Sequence, residues 1–151
     1  MRVSLLRLAL LVFAFAFTAC SSFDQEWRRA AITPAADKFS GRWEGHWTSA
    51  KHAGSGGRLQ CLLSPLASSS ERDQRTYRAF FKAHWLIFSS SYVVPLRATE
   101  RDGQLRFEGS HALPALVGGV YRFKGSATTQ RFLSSYDSSY DQGRFEMKHL
   151  P

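Results

Sequence analysis

Apolar and polar residues alternate along most of the chain. In the stretch FSGRWEGHWTS, residues 39–49, every second residue from Phe39 to Trp47 is aromatic or glycine, and all the residues between them are polar. A period of two residues is typical of a β-strand with one buried face. Gly41 and Gly45 lie on that face beside Trp43 and Trp47, and we expect them to make room for rings from neighbouring strands. The same alternation returns in seven later segments, so the sequence predicts eight strands.

The connections between these segments carry turn signals. Arg101-Asp102-Gly103 is a tight hairpin signal, and polar stretches rich in glycine or serine separate other segments. Short strands joined by hairpin-length loops predict an all-β fold, an eight-stranded antiparallel up-and-down barrel, because closure removes exposed edges. A two-sheet sandwich is the alternative. Pro95 lies on the polar parity of its segment and predicts a local edge or bulge.

The start of the chain has the features of a bacterial lipoprotein signal peptide. Two arginines precede an apolar run, residues 8–17, which is shorter than the about 20 residues of a membrane span. The run leads into FTAC, residues 17–20, which resembles the lipobox of bacterial lipoproteins. The resemblance implies cleavage after residue 19 and lipid attachment at Cys20. An ordinary signal peptide that is cleaved elsewhere is the alternative.

Lipid on Cys20 would hold the mature protein on a membrane, because two or more acyl chains give stable anchoring. Ser21 fits sorting to the outer membrane in bacteria that retain aspartate-bearing lipoproteins at the inner one. We therefore expect a cell-envelope lipoprotein on the periplasmic face of the outer membrane rather than the inner membrane. Residues 20–38 lack the alternation and predict a lipidated tether with room for a helical turn around Gln25–Ala31. Residues 39–151 then form the barrel domain.

Charge and cysteine content fit this location. The chain has 20 basic and 12 acidic residues, and removal of residues 1–19 leaves 18 basic residues and a net charge of +6. The basic residues are dispersed, which argues against a nucleic-acid partner and fits an outer face near anionic lipid or polysaccharide. With lipid on Cys20, Cys61 has no partner in the chain. Its apolar parity predicts a buried, unreactive thiol.

Motifs that carry catalysis or bind metals are absent from the sequence. The five histidines have no HExxH or HxH spacing, Cys61 has no CxxC companion, and there is no GxSxG. His46 and His84 share the outward parity of their strands, where a cross-sheet pair or solvated side chains would fit. Asp137 and Asp141 would fit a cation site or an ordinary turn. We expect no enzyme, no cofactor and no metal.

Gly41-Arg42-Trp43, at the start of the first strand, resembles the GxW signature of the lipocalin and wider calycin barrels. The resemblance implies a barrel over residues 39–150 in which the tryptophan closes one end. It also implies a basic residue late in the chain that packs across the tryptophan, for which Lys148 is the candidate, and a site for an apolar ligand. The other lipocalin motifs, including the long C-terminal helix, are missing.

The aromatic residues of the buried face allow two interpretations. One is a packed core, and the other is a ligand cavity with tyrosine hydroxyls and tryptophan N–H groups as polar contacts. The number of rings favours a mostly filled interior with a shallow cleft at one mouth. The candidate ligand-binding residues are Trp43, Trp47, Tyr77, Phe81, Trp85, Tyr92, Tyr121 and Tyr136.

Two functions follow from these interpretations. The first is a non-catalytic module that binds a small apolar or amphiphilic ligand at the barrel mouth. The second is a protein-interaction module with a filled barrel, such as an inhibitor of an envelope enzyme or a partner in envelope assembly.

Overall fold

A computed structural model describes residues 22–66, 74–115 and 118–151. Eight antiparallel strands form one closed up-and-down barrel, in which each strand pairs with the next and the last pairs with the first. The predicted all-β barrel is confirmed, and closure rules out the sandwich. The strands are β1 Gly41–Ser49, β2 Gly56–Pro65, β3 Gln74–Trp85, β4 Phe88–Arg101, β5 Gln104–Ala112, β6 Val120–Ala127, β7 Arg131–Asp137 and β8 Gln142–His149. One short helix, α1, covers residues 22–30.

The period of two in the sequence corresponds to the inner and outer faces of the barrel. On β3, Tyr77, Ala79 and Phe81 point inward and are at most 1% exposed. They belong to one core cluster with residues from every other strand. Burial of each large side chain contributes about 1.5–3 kcal/mol, so this cluster is the main source of stability.

The glycines of β1 have two different neighbours. At Gly41, which has a φ of 123° in the region that favours glycine, the nearest atom to an added Cβ is Nε2 of the His149 ring, as expected. At Gly45 the expectation of a neighbouring ring is wrong. A Cβ there would overlap the carbonyl oxygen of Glu146 on β8. Gly45 therefore permits close approach of two backbones where β1 and β8 close the barrel.

The hairpin between β3 and β4 turns earlier than the alternation predicts. The period of two from Tyr77 onward gives Ile87 inward parity, but β3 ends at Trp85, and Leu86 and Ile87 form a two-residue turn. Ile87 is 91% exposed. Leu86 has a φ of 52°, a conformation that hairpin turns usually assign to Asn or Gly.

Pro95 marks the point at which β4 separates from β5. The paired register of these strands runs from Arg101 opposite Gln104 up to Leu96 opposite Gly109, and no further. An added Cβ on Gly109 would meet the carbonyl oxygen of Pro95, so the Pro95 backbone faces β5. In a strand, the N–H and C=O of one residue face the same neighbouring strand. Because proline has no N–H, Pro95 cannot donate a ladder hydrogen bond to β5. The predicted local edge at Pro95 is confirmed.

Helix α1 packs on the outer face of β2 and β3, so residues 22–30 are not a free tether. Phe23 is completely buried and contacts the rings of Trp27 and Phe80, with centroids 5.6 and 5.0 Å away. Leu62 and Phe80, which point outward from the barrel, form the apolar patch beneath the helix. Each strand has three consecutive buried apolar residues here, Cys61–Leu63 and Ala79–Phe81, so both of its faces are covered. No helix in the described part of the chain is long and apolar enough to cross a membrane.

Candidate functional site

One end of the barrel is closed by Trp43. Its side chain is fully buried, and its Nε1 donates a hydrogen bond to the carbonyl oxygen of Phe39 at 3.0 Å. The ring stacked on it belongs to His149, at a centroid distance of 4.3 Å and an interplanar angle of 9°. Lys148, the candidate for this position, is exposed instead. The neighbouring residue has the inward parity, so the expectation of Lys148 is wrong and His149 takes the place.

The closed end is also tied to the segment that precedes β1. Tyr77 donates a hydrogen bond from its hydroxyl to Oδ2 of Asp37 at 2.8 Å. Burial, followed by this bond, raises the pKa of Tyr77 to about 12. Tyr77 therefore joins the barrel to residues 31–40 and takes no part in a cavity.

A packed aromatic layer lies above the closed end, with Phe81 at its centre. The Phe81 ring lies 5.5 Å from Tyr92, 6.2 Å from Phe123 and 5.4 Å from Phe145, measured between centroids. Each of these three neighbours also lines the space above. The layer therefore forms the floor of the upper part of the barrel.

The upper part contains a cavity of about 840 Å³. It opens between the β1–β2 loop, the β3–β4 hairpin and the β7–β8 loop, at the end opposite Trp43. The lower half of the barrel is thus filled and the upper half is open, so each of the two interpretations of the interior describes one half. The aromatic residues that line the cavity are Trp47, Trp85, Tyr92, Tyr121, Phe123, Tyr136, Tyr140 and Phe145.

Five of the eight candidate ligand-binding residues line this cavity, namely Trp47, Trp85, Tyr92, Tyr121 and Tyr136. The other three, Trp43, Tyr77 and Phe81, lie below it in the packed half. Sequence parity identifies which residues point inward but not how high along the barrel they lie.

Several lining residues were not among the candidates. Ala83 and His111 have inward parity but are not large aromatic residues, and Ser90 lies in the upper part of β4. Their parity could have signalled them. Tyr140 lies in the β7–β8 loop, where no periodic pattern exists to reveal it.

Asp141 organises the rim of the cavity. Its Oδ2 accepts a hydrogen bond from the Tyr136 hydroxyl at 2.9 Å, and its Oδ1 accepts one from Ser49 Oγ at 2.6 Å. The backbone N–H of Gln142 donates to the same Oδ1 at 2.8 Å. Burial and the bond to Asp141 raise the pKa of Tyr136 well above its ordinary value. These contacts are those of a structured turn.

The Tyr92 hydroxyl is different, because it has no hydrogen-bond partner among the described residues. Burial raises the pKa of Tyr92 far above its ordinary value, so the group remains a neutral donor. Among the described residues no buried side-chain polar atom lacks a hydrogen-bond partner, so this hydroxyl is reached from the open cavity. No lysine or arginine is among the described residues that line the cavity. The cavity therefore offers aromatic surface and a free hydroxyl rather than a cationic group.

The other residues that the sequence singled out do not line the cavity. Arg58 lies opposite His46 on β2 and separates it from β3, so His46 and His84 do not form a pair. Burial and the charges of Lys82 and Arg58 lower the pKa of His84. Cys61 is fully buried, and burial raises the pKa of its thiol well above the ordinary value.

Metal binding finds no support in the same part of the chain. Across residues 22–66, 74–115 and 118–151, no three His, Cys, Asp or Glu side chains come together as a metal site. Cys20 lies outside the described residues.

Comparison with known proteins adds no family. No protein-family model matches the chain, and neither a curated protein nor a solved structure shows detectable similarity to it.

Proposed function

We propose that this protein is a lipid-anchored, non-catalytic binding protein of the bacterial envelope, whose barrel holds a small apolar or amphiphilic ligand. The aromatic cavity of about 840 Å³ above a packed floor carries the proposal. Ligand sites typically have about 300–1,000 Å³, are mostly apolar and contain a few placed polar groups. The GxW-type tryptophan at the closed end supports a calycin-like barrel that opens at the other end.

The lining indicates the chemistry of the ligand. Stacking on Trp47 and Tyr121 favours an apolar or ring-containing body. The free Tyr92 hydroxyl favours a neutral group that accepts a hydrogen bond. Since no described lining residue is a lysine or arginine, a carboxylate would lose its hydration without gaining a strong cationic partner. A neutral amphiphile should therefore bind more tightly than a fatty acid of similar size.

Two substitutions on β3 distinguish an open cavity from a packed interior. Ala83 lines the cavity, whereas Ala79, four residues away on the same face, is fully buried in the core. Ala83→Phe should fill the cavity, weaken binding of the neutral probe N-phenylnaphthylamine and leave the melting temperature nearly unchanged. Ala79→Phe should overpack the core and lower stability by about 1–3 kcal/mol.

Two outcomes of this experiment would refute the ligand proposal. If the natural protein does not bind the probe, or if Ala83→Phe destabilises as much as Ala79→Phe, the upper half is filled and the ligand proposal fails.

The lipid anchor rests on the apolar run of residues 8–17 and on FTAC, and it has its own test. Cys20→Ser should abolish incorporation of a palmitate analogue during growth. Ser21→Ala keeps Cys20 and should label like the natural chain. Equal labelling of the Cys20→Ser variant and the natural chain would refute lipid attachment.

The second candidate function is a protein-interaction module, such as an inhibitor of an envelope enzyme or an assembly partner. The exposed apolar tip of the β3–β4 hairpin supports it, because such patches mark contact sites. Native mass spectrometry of protein purified from its own membrane separates the two functions. A bound small molecule would support the cavity function, and a second protein in fixed ratio would support the interaction module.

A further inference from the structure

The tip of the β3–β4 hairpin extends beyond the barrel rim. Pairing of β3 with β2 ends at Ala83, and pairing of β4 with β5 begins only at Leu96. The tip residues therefore pair only across their own hairpin. They are all large and apolar, and their exposed fractions are 55% for Trp85, 86% for Leu86, 91% for Ile87 and 66% for Phe88. We call Trp85–Phe88 the apolar tip.

The turn itself does not require these side chains. A two-residue hairpin turn favours Asn or Gly, since its residues adopt positive φ, and Leu86 adopts a φ of 52° despite its side chain. Exposed Leu113, Val120 and Tyr140 extend the apolar surface around the same mouth. An apolar rim that costs conformational energy and exposes large side chains indicates contact with an apolar phase.

The path of α1 shows which end of the barrel is nearer to the start of the chain. Asp24 pairs with Lys82 at 2.8 Å, near the upper end of β3. Glu26 pairs with Arg78 at 2.8 Å, four residues nearer to the closed end on the same strand. Asp37 then contacts Tyr77, at the closed end. The chain thus descends along β3, and α1 begins on the side of the cavity mouth.

This direction relates the tip to the predicted anchor. Cys20 precedes the first residue of α1 by two positions, and two residues of chain reach at most about 7 Å. Lys82 and Trp85 are three positions apart on β3, which is about 10 Å of strand. An anchor on Cys20 and the apolar tip therefore belong to the same end of the molecule.

We infer that the apolar tip inserts into the surface of a phospholipid membrane and turns the cavity mouth toward the bilayer. The ligand would then be an amphiphile that passes between the membrane and the cavity without crossing bulk water. This last step rests on the proposed function, whereas insertion of the tip does not. The net positive charge of the chain favours approach to anionic lipid.

A site-specific label tests the insertion in the full lipidated chain. Cys61 is buried, and Cys20 is blocked once it carries lipid, which mass spectrometry of the purified chain checks first. Ile87→Cys then provides one reactive thiol for a nitrobenzoxadiazole fluorophore. Ile32→Cys is the matched control, since Ile32 is 86% exposed and follows the far end of α1. Both proteins are placed in vesicles of phosphatidylethanolamine and phosphatidylglycerol that contain brominated acyl chains.

Insertion predicts that bromine quenches the label at position 87 several-fold more than the label at position 32. Equal, weak quenching at both positions would overturn the inference. A blue-shifted label at position 87 that does not respond to brominated lipid would also overturn it, because it would show the tip buried against a protein or a second copy of the chain.

A second measurement separates this inference from the proposed function. Transfer of N-phenylnaphthylamine from the same vesicles to the cavity should slow about tenfold or more in Ile87→Asn, the factor expected for one large apolar side chain. Ile32→Asn should transfer like the natural chain. Binding of the probe without quenching at position 87 would refute the membrane contact alone. Quenching without probe binding would refute the cavity function and retain the insertion.

Discussion

The imidazole of His149 lies flat against the indole of Trp43, with ring centroids 4.3 Å apart. The two nitrogens of the same imidazole each lie 3.0 Å from a carbonyl oxygen, Nδ1 from Thr129 and Nε2 from Ser40. One residue at the end of β8 therefore contacts the β6–β7 connection, the residue that precedes β1 and the Trp43 ring. This arrangement makes the closed end of the barrel a single packed unit.

Trp43→Ala should lower the free energy of unfolding by about 3–5 kcal/mol, since it removes a fully buried indole from the closed end of the barrel. Urea denaturation measures the loss. Trp85→Ala is the control, because Trp85 is 55% exposed at the tip and should change stability much less. Equal effects of the two substitutions would mean that Trp43 does not close the barrel.

His149→Ala should destabilise the protein by about 1–3 kcal/mol, because it removes the stack on Trp43 and a hydrogen bond to Ser40 or Thr129. Lys148→Ala, one residue earlier but exposed, should stay within about 0.5 kcal/mol of the natural chain. Thermal unfolding of the two variants shows whether His149 or Lys148 packs on Trp43. A larger effect at Lys148 would restore the assignment that the GxW resemblance first implied.

Gly45→Val should destabilise the protein by more than the about 1–3 kcal/mol of ordinary overpacking, because the added Cβ overlaps backbone rather than a movable ring. For the same reason Gly45→Ala should already destabilise strongly. Ser110→Ala, on exposed β5 surface, serves as the control. Chemical denaturation in which Gly45→Ala matches this control would show that β1 and β8 have room to separate.

The Asp37 carboxylate should make the stability of the folded protein depend on pH in the acidic range. Burial alone would raise its pKa, but hydrogen bonds from Ser40, Tyr77 and Phe39 outweigh burial and hold the pKa below its ordinary value of 3.8. A carboxyl with a lowered folded pKa stabilises the protein above its unfolded pKa and loses that contribution as pH falls through the folded value.

The advantage of the natural chain over Asp37→Asn should therefore be full above about pH 4 and shrink at lower pH. Denaturation midpoints of both proteins across this range measure it. An advantage of constant size down to about pH 2 would contradict the role of the Asp37 carboxylate.

The alternation in the sequence was sufficient to predict the strands and the barrel, because a period of two records which face of a strand is buried. It failed at the β3–β4 hairpin, where Leu86 and Ile87 carry no turn signal and simply continue the apolar pattern. It also missed the docking of α1. Two signs of that contact are present in the sequence. The outward-facing Leu62 and Phe80 read as part of longer apolar runs, and the helix side of the contact has the helical spacing of Phe23, Trp27 and Ala30.

The cavity could be predicted only in part for a different reason. Ala79 and Ala83 have the same residue type, the same strand and the same inward parity, yet one lies in the core and the other lines the cavity. The difference depends on height along the barrel and on which rings the neighbouring strands contribute there. Parity along one strand contains neither quantity.

The short register between β4 and β5 has a mechanical consequence. Above Leu96 and Gly109 these strands have no paired positions, so outward movement of the upper part of β4 breaks no backbone ladder between them. The same movement would separate the rings of Tyr92 and His111, which meet across the seam at 5.5 Å. The wall of the barrel therefore has a seam between β4 and β5, without paired positions above Leu96 and Gly109. A guest wider than the mouth would enter most easily through this side.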